Sequence, residues 1–227
     1  MKKEKIILII LFIFMSLGFR VPFKDYRWNI NEADNYLWIK PCARTIVLPN
    51  DVDSSDPLYG STAIIVTTAL DSIASDVNNI FASYVRLEIY PADPNNPPTG
   101  SHFDIEKAQN RTITVCAGNP ADLAGGHSQR FFEGKEVVGC EIVYDATVHR
   151  GVKDYLAMVG HEMGHCLGLD HPQDISDSLM SYYSDIEKTY RLAPDDKLGI
   201  RYLYPANVPG VSHKEEATYG LSCAYKK

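Results

Sequence analysis

Apolar residues at Ile64, Val66, Leu70, Ile73, Val77, Ile80, Phe81 and Val85 recur at intervals of three and four, and this spacing predicts one long helix over 63–85. On either side the period shortens. Residues 43–48 and 86–90 read as strands, as do the apolar runs 112–116 and 140–144. An Asp- and Ser-rich loop follows the first strand, and a Pro- and Asn-rich loop spans 93–100. After the last strand a second helical stretch begins, with Asp154 as its expected cap. The order strand, helix, strands, helix predicts an α+β domain in which helices pack on a mixed sheet.

The first residues follow a different pattern. Lys2, Lys3 and Lys5 precede the unbroken apolar run Ile6–Met15, and the small residues Ser16 and Gly18 come after it. This reads as a secretory signal peptide over 1–18, the run being shorter than the ~20 residues of a spanning helix. An uncleaved anchor is the alternative. Its removal takes three lysines and one glutamate, moving the net charge from −7 to −9. An acidic chain without a basic stripe argues against nucleic-acid binding, and no stable membrane partner is expected after cleavage. Residues 19–227, without repeats or low-complexity linkers, suit one domain with a sizeable core.

The chemistry is concentrated in His161-Glu162-Met163-Gly164-His165-Cys166-Leu167-Gly168-Leu169-Asp170-His171, the pattern H-E-x-x-H-x-x-G-x-x-H. Its five fixed positions would meet by chance in a chain of this length about once in 10⁴ to 10⁵. On a helix, His161 and His165 stand one turn apart, about 6 Å along the axis and about 40° around it, so both imidazoles reach one ion. Glu162, rotated about 100° from His161, is placed to act as a general base beside the metal without ligating it. Gly168 can take a positive φ, ending the helix and returning the chain so that His171 supplies a third ligand. Three histidines and one open position describe a catalytic zinc site.

This motif resembles the zinc signature of the metzincin metallopeptidases. The resemblance extends to Ser178-Leu179-Met180-Ser181-Tyr182, which looks like the Met-turn that places a methionine, here Met180, beneath the ligands. Leu192–Tyr204 is similar to the closing helix of the matrixins, whereas the S-x-M-x-Y form is closer to astacins and serralysins. In those, the tyrosine binds zinc or supports the oxyanion; Tyr182 takes that role or lines the substrate pocket with Tyr183 and Ile186. The resemblance implies a metzincin-type α/β sandwich: a mixed, twisted five-stranded sheet with long helices, an active-site helix, the Met-turn and a C-terminal helix. It also implies a secreted zinc endopeptidase in which an extended protein or peptide substrate pairs with the sheet edge near 125–131. A non-catalytic, zinc-stabilised binding or adhesion domain of the same fold is the alternative, opposed by the intact Glu162 and ligands.

Five cysteines in an exported chain allow two disulfides. Cys116 and Cys140 lie on expected strands and form the first expected pair. Cys42 and Cys223 are the second, since the two ends lie close together in the matrixin fold, leaving Cys166 as a small buried thiol. Pro41-Cys42 is only distantly similar to the matrixin propeptide switch and is too near the expected cleavage site for a propeptide domain. Matrixins also bind a structural zinc through an H-x-D pair and two later histidines. His102-Phe103-Asp104 and His127 offer three such ligands, but Val143 stands where the last is expected, so one catalytic Zn2+ is predicted. The aspartates near 51–56 and 93–104 are candidate Ca2+ ligands.

Overall fold

The structure is a computed structural model and describes residues 27–42, 45–47, 63–89, 111–118, 125–145, 152–172, 177–181 and 189–209. Its strands are β1 (Tyr36–Pro41), β2 (Thr45–Val47), β3 (Ala63–Ile65), β4 (Arg86–Ile89), β5 (Thr112–Ala117), β6 (Gly126–Glu133) and β7 (Glu136–Tyr144). The helices are α1 (Val66–Asn78), α2 (Val152–Cys166) and α3 (Pro194–Leu203). Five strands form a mixed sheet in the order β4-β1-β5-β7-β6, while β2 and β3 pair separately. Within the large sheet β1, β4, β5 and β7 run parallel and only β6, at one edge, is antiparallel to its neighbour.

The core lies between one sheet face and the helices. Leu37 and Ile39 of β1, Leu87 of β4, Ile113 and Val115 of β5, and Ile142 and Tyr144 of β7 meet Leu70, Ile73 and Val77 of α1 and Tyr155, Val159 and Met163 of α2. β1 alternates exposed and buried residues as a half-buried pleat does, whereas β5 and the second half of β7 are buried on both faces. α1 packs against β4, and α2 crosses β6 and β7.

The helix expected over 63–85 is shorter at both ends. Its first residues, Ala63–Ile65, pair antiparallel with β2, in keeping with the strand preference of consecutive β-branched residues. At the far end the helix stops at Asn78, whose side-chain amide exchanges two hydrogen bonds with the backbone of Leu87, 2.7 and 2.9 Å long. Ile80 and Val85 still enter the core, from the loop, which is why the helical spacing outlasts the helix. β1 escaped the pattern because its exposed residues, Tyr36 and Trp38, are as apolar as the buried Leu37 and Ile39 they alternate with, so no apolar/polar alternation exists. Asp154 lies inside the first turn of α2, where it complements the helix dipole, instead of ahead of it.

Candidate metal and catalytic site

α2 carries His161, Glu162 and His165 on its last two turns, and the way it ends delivers the third histidine. The Leu169 N–H bonds to the Gly164 carbonyl and the Gly168 N–H to that of His165, both at 2.9 Å, with Gly168 at φ +100°. This is a Schellman ending, for which a left-handed residue is needed. Two further carbonyls at the helix end are satisfied from a distance. Trp28 Nε1 donates to Cys166 at 2.8 Å and the Tyr204 hydroxyl to Leu167 at 2.9 Å. Both rings are fully buried; burial also drives the Tyr204 phenol pKa far up. The end of the helix is thus fixed to both termini of the fold.

The three imidazoles converge. Nε2 of His161 lies 2.9 Å from Nε2 of His171, and Nε2 of His165 lies 3.1 Å from each of the others. His161 Nδ1–H donates to the Leu179 carbonyl at 2.7 Å and His165 Nδ1–H to that of Leu169 at 2.8 Å. Because these protons sit on Nδ1, Nε2 of both rings presents a lone pair to the common point. Lone pairs so close repel unless a cation lies among them, and the triangle approaches the ~3.3 Å separation of nitrogens around a tetrahedral zinc with bonds of ~2.05 Å. The donor set therefore fits zinc, and these histidines could hold it. Among the described residues it is the one cluster of three or more metal-binding side chains. Burial, then the adjacent His161, pushes the His165 pKa down to about 3, favouring the neutral ligand form.

Glu162 is buried beside this cluster, and Ser128 of β6 donates its hydroxyl to Oε2 at 2.6 Å. Beneath the three histidines, a turn closed by Ser181 N–H to the Ser178 carbonyl at 3.1 Å brings Met180 against the helix. It packs so tightly that a Cβ at Gly164 would overlap the Met180 sulfur. The turn is held by Asp196, fully buried on α3, whose carboxylate accepts from Ser178 Oγ (2.6 Å), Leu179 N–H (2.9 Å) and Ala193 N–H (2.8 Å). Asp196 thereby positions the Leu179 carbonyl that orients His161.

The cysteines pair otherwise than expected. Cys42 is bonded to Cys116 and Cys140 to Cys166, with Cα separations of 4.9 and 5.7 Å. The parallel register sets Cys140 opposite Ile113 and Cys116 opposite Val143, three residues or about 10 Å apart, beyond a disulfide's ~7 Å reach. Cys166 is accordingly bonded, not free, and ties α2 to β7. Val143 is buried and faces His127 across the β6–β7 pair, so β7 supplies no histidine there. Tyr182, Tyr183, Ile186, Cys223, His102, Asp104 and the aspartates considered for calcium fall outside the described residues. Ser128, Asp196, Trp28 and Tyr204 were not singled out from sequence. Only Asp196 left a trace there, in the helix-starting order Ala193-Pro194-Asp195-Asp196.

The family model described as Matrixin matches residues 27–205, from the Trp28 segment to the end of α3. The chain belongs to the matrixin family. This matrixin is 46% identical over 56 residues to stromelysin-3 of Xenopus laevis, a match covering 25% of this chain and 12% of that protein. To matrix metalloproteinase-19 of Mus musculus it is 34% identical over 65 residues, 29% of this chain and 12% of that one. The chain thus aligns with about an eighth of either relative's length. A chain in the solved GM1-bound form of the ECX AB5 holotoxin aligns with 84% of this matrixin and 94% of its own length, at 13% identity and a TM-score of 0.46, a likeness too weak to bear on fold or function.

Proposed function

We propose that this matrixin is a secreted zinc endopeptidase in which His161, His165 and His171 hold the metal and Glu162 is the general base. The observation that carries the reading is the convergence of three Nε2 atoms within 3.1 Å, two with their protons held on Nδ1 by backbone carbonyls. Bound there, zinc supplies Lewis acidity toward the scissile carbonyl and the attacking water. An extended substrate pairs with the free edge of β6, which sets its reacting carbonyl beside Glu162. The Glu162 carboxylate takes a proton from the attacking water and returns it to the leaving amine. Ser128 holds the carboxylate through Oε2, leaving Oε1 for the proton. Met180 supports the ligand helix from below, and Gly168 provides the turn that returns His171. Tyr182 is a candidate oxyanion donor two residues past Met180.

Export is supported by the Lys-rich start and apolar run of residues 1–18, read as a signal peptide ahead of a single peptidase domain. The two disulfides agree with an oxidising compartment. No helix among the described residues is long and apolar enough to cross a membrane. Metal analysis of the mature chain should find one zinc, with chelation abolishing peptide hydrolysis. Glu162→Gln should keep the zinc and lower kcat by about 10²- to 10⁴-fold; a variant as active as the parent would remove Glu162 from the mechanism.

A further inference from the structure

Two residues along β6 from Ser128 stands Arg130, which has no part in the chemistry above. Ser128 reaches Glu162 on α2, and by the two-residue period of a strand Arg130 projects over the same helix, about 7 Å further on. Its charge is felt there by His165 and Tyr204. Its backbone faces outward. The Asp145 N–H bonds to the Gly125 carbonyl, and the register continues unbroken from Gly126↔Tyr144 to Phe131↔Gly139. Bonded and non-bonded pairs alternate in an antiparallel ladder, so the N–H and C=O groups of Gly126, Ser128 and Arg130 point away from β7. β6 is the outermost strand of the sheet among the described residues. The residues able to pair with an incoming peptide are thus the ones whose side chains overlie α2.

Among the described residues the Arg130 guanidinium, unlike those of Arg191, Arg111, Arg27 and Arg86, has no carboxylate or carbonyl partner. Arg191 forks onto Asp76 at 2.6 and 2.8 Å, Arg111 pairs with Asp34, Arg27 donates to the Leu203 carbonyl, and Arg86 donates to those of Ser83 and Val85. Arg130 instead lies over the Phe132 ring, 5.7 Å from its centroid, and that ring is itself 45% exposed. A half-buried cation whose five donors meet no acceptor among the described residues carries a desolvation cost that a carboxylate would relieve. A cross-strand residue opposite Arg130 would share its face with Cβ atoms about 5 Å apart, within reach of a bidentate fork.

Resting on the peptidase reading, we propose that Arg130 determines specificity by selecting an Asp or Glu side chain in the bound peptide, about two residues from the position aligned with Ser128. The pairing is charge-assisted and edge-exposed, so the preference weakens as salt rises.

The experiment uses the zinc-loaded mature chain and ten-residue peptides of neutral background, with Glu, Gln or Lys scanned through three positions on each side of the scissile bond. At one position Glu should exceed Gln by about 5- to 50-fold in kcat/KM, with Lys poorer still. Arg130→Gln should erase that preference, Arg130→Lys should keep part of it, and Arg130→Glu should favour Lys at the same position. A preference surviving in Arg130→Gln, or hydrolysis without any acidic preference, overturns the assignment and leaves the peptidase reading intact. A second arm measures binding of the same peptides to the zinc-loaded Glu162→Gln chain by fluorescence anisotropy. If the parent hydrolyses nothing yet this chain binds the Glu peptides more tightly through Arg130, the peptidase reading fails and the Arg130 assignment stands; if binding is also indifferent to charge, both fail.

Discussion

Ser128 contributes one hydroxyl to the site, yet that hydroxyl is the partner fixing the Glu162 carboxylate at 2.6 Å. A hydrogen bond to a charged group is worth about 1.5–3 kcal/mol, and here it holds the Glu162 carboxylate in a single orientation. Ser128→Ala should therefore lower kcat by about 5- to 50-fold with KM little changed, and Ser128→Thr, which keeps the donor, should recover most of the loss. A kcat within twofold of the parent in Ser128→Ala would show that packing alone positions Glu162. At this scale the sequence discloses what a helix repeats and hides what the fold brings together. His161, Glu162 and His165 were legible because helix geometry fixes their mutual placement. Gly168 and His171 were legible because a positive φ, observed at +100°, is what turns the chain back. Ser128 comes from 34 residues away, on a strand segment, Gly126–Arg130, too polar to stand out.

Between elements, the Cys140–Cys166 bond and the Asp196 carboxylate join Trp28 and Tyr204 in fastening the histidine site, and neither contact is written locally in the sequence. The Cys140–Cys166 bond joins α2 to β7 across 26 residues, a loop whose closure is worth about 3–4 kcal/mol in the chain-entropy estimate. Cys140→Ala with Cys166→Ala should lower stability by about that amount in denaturant titration of the metal-free chain, and should weaken zinc binding because His165 adjoins the lost anchor. If zinc affinity stays within twofold, the histidines are held without it. The expected Cys116–Cys140 pair failed because both residues do lie on neighbouring strands, while register, which separates them by three residues, is set by the whole sheet and is not written locally. The second fastening is Asp196, through which α3 holds the Met180 turn. Asp196→Asn directs an amide N–H at donors that need an acceptor. It should cost about 2–4 kcal/mol and reduce zinc affinity about 10- to 100-fold by displacing the Leu179 carbonyl from His161. Stability and zinc-competition titrations of one sample test both effects, and a neutral result in each would make the buried carboxylate incidental.

For the whole molecule, the class of fold was legible and its wiring was not. Apolar runs predicted strands at 112–116 and 140–144 and helices packed on the sheet, because burial against a shared core imposes those periods. That β1 is inserted between β4 and β5 follows from parallel pairing across long connections, for which Tyr36–Pro41 carries no local signal. The finished fold also changes what its histidines do in acid. Burial and the neighbouring His161 hold the His165 pKa down to about 3, against about 6.5 in an unfolded chain. Between those values the unfolded state binds a proton that the folded state refuses. The stability tied to the neutral ring is therefore complete above pH 6.5 and declines as pH falls toward 3, by up to about 1.4 kcal/mol per pH unit. Zinc held by these histidines would require the same neutral rings, so its release would follow in the same direction. Urea titrations of the metal-free mature chain from pH 7.5 to 4.5, above the range where most carboxylates protonate, should show this decline, and His165→Asn should flatten it. An equal slope in parent and variant would assign the acid sensitivity to groups other than the buried ligand.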